Sequence, residues 1–145
     1  MATALRLTTE ACSSMIRPTR ELVAGVAREH GLSERRARDV KLCVHEAITN
    51  VSCHAYEGRP GPVDVTVQDL GDALAVAVSD HGAGAPSRIG NPSAMGLRLM
   101  SHLSTRCTVR ALNDGMEVEM VFQIPSPTPR SESPLFHRDT RLLHS

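Results

Sequence analysis

The stretch HEAITNVSCHAY, residues 45–56, decides how the chain is read. Ala47, Ile48, Val51 and Ala55 recur at helical steps and mark one apolar face. Glu46 and Asn50 stand four residues apart, with His54 four further on, so these three share another face. Packing gives a core helix no reason to carry that polar set. Either the face is solvated, or it points at a ligand that wants a carboxylate and an amide. Glu can take a proton and Asn offers a neutral oxygen, a pair suited to a hard cation such as Mg²⁺. His45-Glu46 also begins the H-E-x-x-H pattern of zinc hydrolases. The second His would fall at Thr49, so no zinc site is expected.

Working outward, Ala37, Val40 and Val44 extend the apolar stripe back toward Ser33, a natural N-cap. The turn chemistry of EGRPGP should end this helix near Tyr56. An earlier helix is expected from Pro18 to His30, with Leu22, Val23, Val26 and Ala27 on its apolar side and Gly31 closing it. Arg17, Arg20 and Arg28 decorate that helix. Residues 3–9 alternate and suit an edge strand. Downstream, VDVTVQDL alternates with Val63, Val65 and Val67 on one face. LAVAVSD is nearly all apolar, as in a strand covered on both faces. GLRLMSHL reads as a short helix. STRCTVRAL and MEVEMVFQI read as strands joined by a hairpin turn at Asn113-Asp114-Gly115. The order predicts an α/β domain of two layers, with helices on one face of a mostly antiparallel sheet. This unit should occupy residues 1–125. The Pro- and Ser-rich stretch 126–145 is expected to be a disordered tail.

Composition narrows the function. A length of 145 residues suits one core, and Phe122, Phe136 and Tyr56 are the only aromatics, so Val, Leu, Ile, Met and Ala must fill it. Stacking platforms for single-stranded nucleic acid are essentially absent. Zero formal net charge argues against a broad footprint for nucleic acid or anionic membrane. Cys12, Cys43, Cys53 and Cys107 show no paired spacing and are expected to be reduced and mostly buried, as in a cytoplasmic protein. No signal peptide or membrane span is read from the sequence.

Two further motifs lie beyond the helix. In DHGAG, residues 80–84, Asp80 ends a buried strand, where a carboxylate is costly unless it accepts hydrogen bonds. A ligand amine could supply one; an ordinary Asp-Gly turn is the other reading. Gly82 and Gly84 let backbone come close to a flat ligand. In SAMGLRLM, Gly96 precedes a short helix whose N-terminus would favour phosphate, or would simply begin a helix.

Taken in order, E-x-x-x-N on a long helix, D-x-G-x-G after a strand and a Gly opening a helix resemble the GHKL ATPase family. His45 to Asn50 followed by His54-Ala55-Tyr56 is similar to the anti-sigma-factor serine kinases of bacteria, over roughly residues 5–125. The resemblance implies the Bergerat fold, an α/β sandwich that holds ATP between its helices and a lid. It implies that Asn50 helps to hold Mg²⁺, that Glu46 is the catalytic base, and that Asp80 accepts from the adenine amino group. Gly82 and Gly84 would border the adenine, and Gly96 and Leu97 would meet the phosphates. The implied function is a serine kinase that phosphorylates an anti-sigma factor antagonist and sequesters a sigma factor, commonly as a homodimer. A nucleotide-dependent binding module with little or no kinase activity is the alternative. The lid IGNPSAMG has fewer glycines than many relatives, and Gly115, Met116 and Glu119 stand where relatives often show Thr.

Overall fold

The computed structural model describes residues 2–57, 59–82 and 94–125. Strand β1 (Ala2–Glu10) is followed by helices α1 (Ser13–Glu29) and α2 (Glu34–Asn50). α2 runs on into a π-helical turn, Val51–Ala55. Then come β2 (Pro62–Asp69), β3 (Ala73–Asp80), α3 (Ala94–Leu103), β4 (Arg106–Leu112) and β5 (Gly115–Gln123). The strands form one antiparallel sheet in the order β1-β2-β3-β5-β4, with β1 at one edge as the alternation suggests.

The core lies between the sheet and the helices. Val63, Val65 and Val67 of β2, Leu74, Val76 and Val78 of β3, and Met120 and Phe122 of β5 form one face. Against it pack Val40, Val44, Ala47 and Ile48 of α2, Val23 and Ala27 of α1, and Met100 of α3. Each fully buried Val, Leu, Ile, Phe or Met contributes about 1.5–3 kcal/mol, so this contact dominates the fold. All of β3 but Ser79 is buried, because Ala73, Ala75 and Ala77 fill the opposite face.

The helix ends follow local chemistry. Ser33 Oγ accepts from Arg36 N at 3.1 Å and caps α2. α1 closes in a Schellman turn. Leu32 N donates to Ala27 O at 3.0 Å, Gly31 N donates to Arg28 O at 3.1 Å, and Gly31 takes φ +102°.

Four sequence expectations are corrected. α1 begins at Ser13, and Pro18 lies inside it. Ser14 and Pro18 are both exposed, so the carbonyl deprived of a partner can face water. Leu22 points outward at 49% exposure, and Thr19 and Ala24 join Val23 and Ala27 in the buried stripe. Gly96 is the third residue of α3 and does not precede it. The four cysteines are free, yet only Cys43 is buried and Cys53 is exposed. Burial pushes the Cys43 thiol up to about 12, so it stays protonated and unreactive. No helix among the described residues is long and apolar enough to cross a membrane.

Candidate functional site

The polar face of α2 meets the start of α3. A Cβ on Gly96 would stand 3.1 Å from Asn50 Nδ2 and 3.2 Å from Glu46 Oε2. Glycine thus lets the first turn of α3 lie directly on the two polar side chains. Asn50 Nδ2 is fully buried and has no hydrogen-bond partner among the described residues. Such a donor costs about 1–3 kcal/mol unless something accepts from it. The start of α3 carries the positive end of a helix dipole, which favours an anion. A carboxylate, an unpartnered amide and a helix start therefore converge at one point. Leu97, next along α3, is partly buried against the core, so only its backbone can serve a ligand.

The second cluster sits one turn along the same axis. Asp80, 7% exposed, accepts at Oδ1 from Gly82 N at 3.0 Å and from Met116 N at 3.3 Å. Burial pushes its pKa up, and the two backbone donors oppose that rise. A Cβ on Gly82 would come within 2.9 Å of Ala55 Cβ and 3.0 Å of Ala55 O. The turn after β3 therefore lies flat on the π-helical turn, five residues or roughly 7 Å beyond Asn50. Single π-helical turns are often found at functional sites.

Tyr56 and His81, for which no role was read from the sequence, tie this end together. Tyr56 Oη donates to Pro62 O at 2.6 Å and accepts from His81 N at 2.8 Å, which ties the end of α2 to β2 and β3. His81 places Nε2 at 2.6 Å from Asp64 Oδ2 and Nδ1 at 3.3 Å from Asp114 Oδ2. Those two hydrogen bonds raise its pKa. Thr8 Oγ1 donates to Asp64 Oδ1 at 2.5 Å and, with His81, holds that carboxyl below its usual range. At Gly115 a Cβ would overlap the backbone oxygen of Asp80. The glycine lets β5 bring Met116 N to the carboxylate, so this strand does support Asp80. Of Tyr56 and His81, only Tyr56 stood out in the sequence, as the single Tyr and as the close of His54-Ala55-Tyr56.

Two expectations lie outside the described residues: Gly84, together with the lid, and the tail 126–145. The side chain of His54 is likewise not described. The structure brings Glu46, Asn50 and Gly96 together, and sets Gly82, beside Asp80 at the end of β3, against Ala55 of the π-helical turn that follows α2.

The model of the histidine kinase-like ATPase domain matches residues 9–122, a range that holds Glu46, Asn50, Asp80, Gly82 and Gly96. The chain belongs to this family. The histidine kinase-like ATPase assignment agrees with three other likenesses. Over 61 residues the chain is 39% identical to the serine-protein kinase RsbW of Listeria innocua serovar 6a, covering 41% of this chain and 39% of that one. Over 60 residues it is 33% identical to the serine-protein kinase RsbW of Bacillus mycoides, covering 41% and 38%. The matched part thus spans about two fifths of these curated relatives. The structure of the RsbU and RsbW domains of Rv1364c from Mycobacterium tuberculosis superposes with a TM-score of 0.65 at 18% identity, over 86% of this chain and 34% of that one. That likeness bears on the fold alone, and the expected α/β architecture holds. The resemblance to the anti-sigma-factor kinase type of this family is borne out as well.

Family membership implies ATP as the ligand. A cation would fit beside it. Among the described residues no three His, Cys, Asp or Glu side chains converge on a metal site. An ion here would rely on Asn50 and on the phosphates, the arrangement that suits Mg²⁺. Half a turn of the Asn50 amide offers either an oxygen to a cation or an N–H to a phosphate.

Proposed function

We propose that the chain, through a unit spanning residues 1–125, is an ATP-dependent protein serine kinase. ATP sits with its phosphates between α2 and α3 and its adenine at the turn after β3. The observation that carries this reading is the contact of Gly96 with Glu46 and with the unpartnered amide of Asn50. Asp80 accepts from the adenine amino group, with Gly82 and Gly84 at the ring. The backbone of Gly96 and Leu97 faces the phosphates. Asn50 would hold Mg²⁺, which would neutralise charge on the phosphates.

Glu46 takes the proton of a serine hydroxyl on a partner protein. The serine oxygen bonds to the γ-phosphorus, the bond to the bridging oxygen breaks, and ADP leaves with that electron pair. This chemistry needs positioning and charge neutralisation more than covalent help. In keeping with the resemblance read from the sequence, the acceptor is an anti-sigma factor antagonist. A sigma factor is the second partner, and the working form is a cytoplasmic homodimer.

The test is transfer of labelled γ-phosphate from ATP·Mg²⁺ to a candidate antagonist. Glu46→Ala should lose transfer by about 10²–10⁴-fold while still binding nucleotide. Asn50→Ala should lose both. Persistent transfer in both variants overturns these roles. Nucleotide binding without any phosphoprotein, in the parent chain, favours the binding module instead.

A further inference from the structure

Resting on the nucleotide site just proposed, we infer that Arg36 is a positioning residue for it. By gripping the far end of α3, Arg36 sets where α3 begins against Glu46 and Asn50. The side chain stands at the start of α2, far from Glu46 and Asn50 near its end. Its Nη1 donates to Leu103 O, the last carbonyl of α3, at 2.8 Å, and to Asp39 Oδ2 at 2.7 Å. The guanidinium carbon lies 5.5 Å from the centre of the Phe122 ring. Asp39 and Phe122 thus hold the guanidinium in place before it meets α3. A cation at a helix C-terminus is favoured by the dipole as well.

α2 is therefore tied to antiparallel α3 near both ends of their packing, residue 36 with 103 and residues 46 and 50 with 96. The span along α2 from 36 to 46 is about 15 Å, and along α3 from 96 to 103 about 10 Å. The long Arg side chain bridges the difference. Such a link matters because α3, at ten residues, is too short to be stable alone. Met100, Leu97 and Leu103 pack it on the core, but apolar packing resists sliding along the axis only weakly. Ser104, through N at 3.0 Å and Oγ at 2.6 Å to Met100 O, secures the end of α3 only to itself. Arg36 supplies a directional bond to α2 that fixes the axial position. A displacement of about 1 Å at a reacting centre can cost a hundredfold.

The experiment uses the full chain. Hydrogen exchange of the α3 amides is measured without nucleotide, and the Kd of a fluorescent ATP analogue is measured with Mg²⁺. Variants are Arg36→Ala, Arg36→Met, which keeps the stem over Phe122 if truncation unfolds the chain, and Arg36→Lys. Val65→Ala, in β2, serves as a control with a matched loss of Tm. Removing the donors should speed α3 exchange about tenfold relative to β2 and β3, and weaken nucleotide binding about tenfold. Arg36→Lys, which keeps one donor for Leu103 O, should recover most of both. Val65→Ala should leave Kd within twofold. The inference is overturned if Arg36→Met binds nucleotide as the parent does, or if Val65→Ala weakens binding equally. Should the parent bind no nucleotide, the site reading fails by itself. Unchanged α3 exchange in Arg36→Met then overturns the grip of Arg36 independently.

Discussion

Gly96 leaves little room between α3 and the polar face of α2. A methyl there would force the tips of Glu46 and Asn50 to give way by a few tenths of an ångström, and a branched side chain would take their place. Gly96→Val should therefore weaken nucleotide binding about tenfold or more with little change in Tm, as calorimetry would show. His81 makes a prediction about pH. Its folded pKa is raised above 6.5, so its pairing with Asp64 and Asp114 stabilises fully below that value and fades as pH rises through the raised one. Asp64 is held below 3.8, so its share appears above that value and is lost as pH falls through the depressed one. The stability difference between the parent chain and His81→Gln, from urea unfolding across pH 4–9, should be largest in mildly acid solution and shrink on the alkaline side. Glu46 and Asn50 were legible in the sequence because residues four apart share a helix face. His81 was not, because its partners lie 17 and 33 residues away and only the sheet register brings them to it.

At the scale of elements, caps and turns carry much of the specification. Ser33→Ala removes the N-cap bond of α2 and should cost about 1 kcal/mol in urea unfolding. Gly115 combines φ +152° with backbone contact to Asp80. Gly115→Ala should destabilise by about 2 kcal/mol or more and weaken nucleotide binding too, since Met116 N would leave Asp80. The strands could be read in advance because Val63, Val65 and Val67 alternate and β3 is continuously apolar. The start of α1 could not. Proline pointed to a first turn at Pro18, but solvent exposure of that side lets the helix begin at Ser13 without bonding every carbonyl. The π-helical turn after Asn50 was equally hidden. An apolar stripe shows that a helix continues, not how tightly it winds.

For the molecule as a whole, ligand and fold should be linked. ATP·Mg²⁺ at 100 times its Kd should add about 2.7 kcal/mol of stability, and Asn50→Ala should abolish that gain in a thermal melt. The strand order has a further consequence, for biosynthesis. Among the described strands β1 pairs only with β2, with Leu5 opposite Val67 and Leu7 opposite Val65. On the ribosome, β1 has no strand partner until β2 is complete, about sixty residues later, a wait of about 3–12 s at usual elongation rates. A nascent chain stalled before Val63 would expose an unpaired, half-apolar ribbon, the kind of segment that holding chaperones shield.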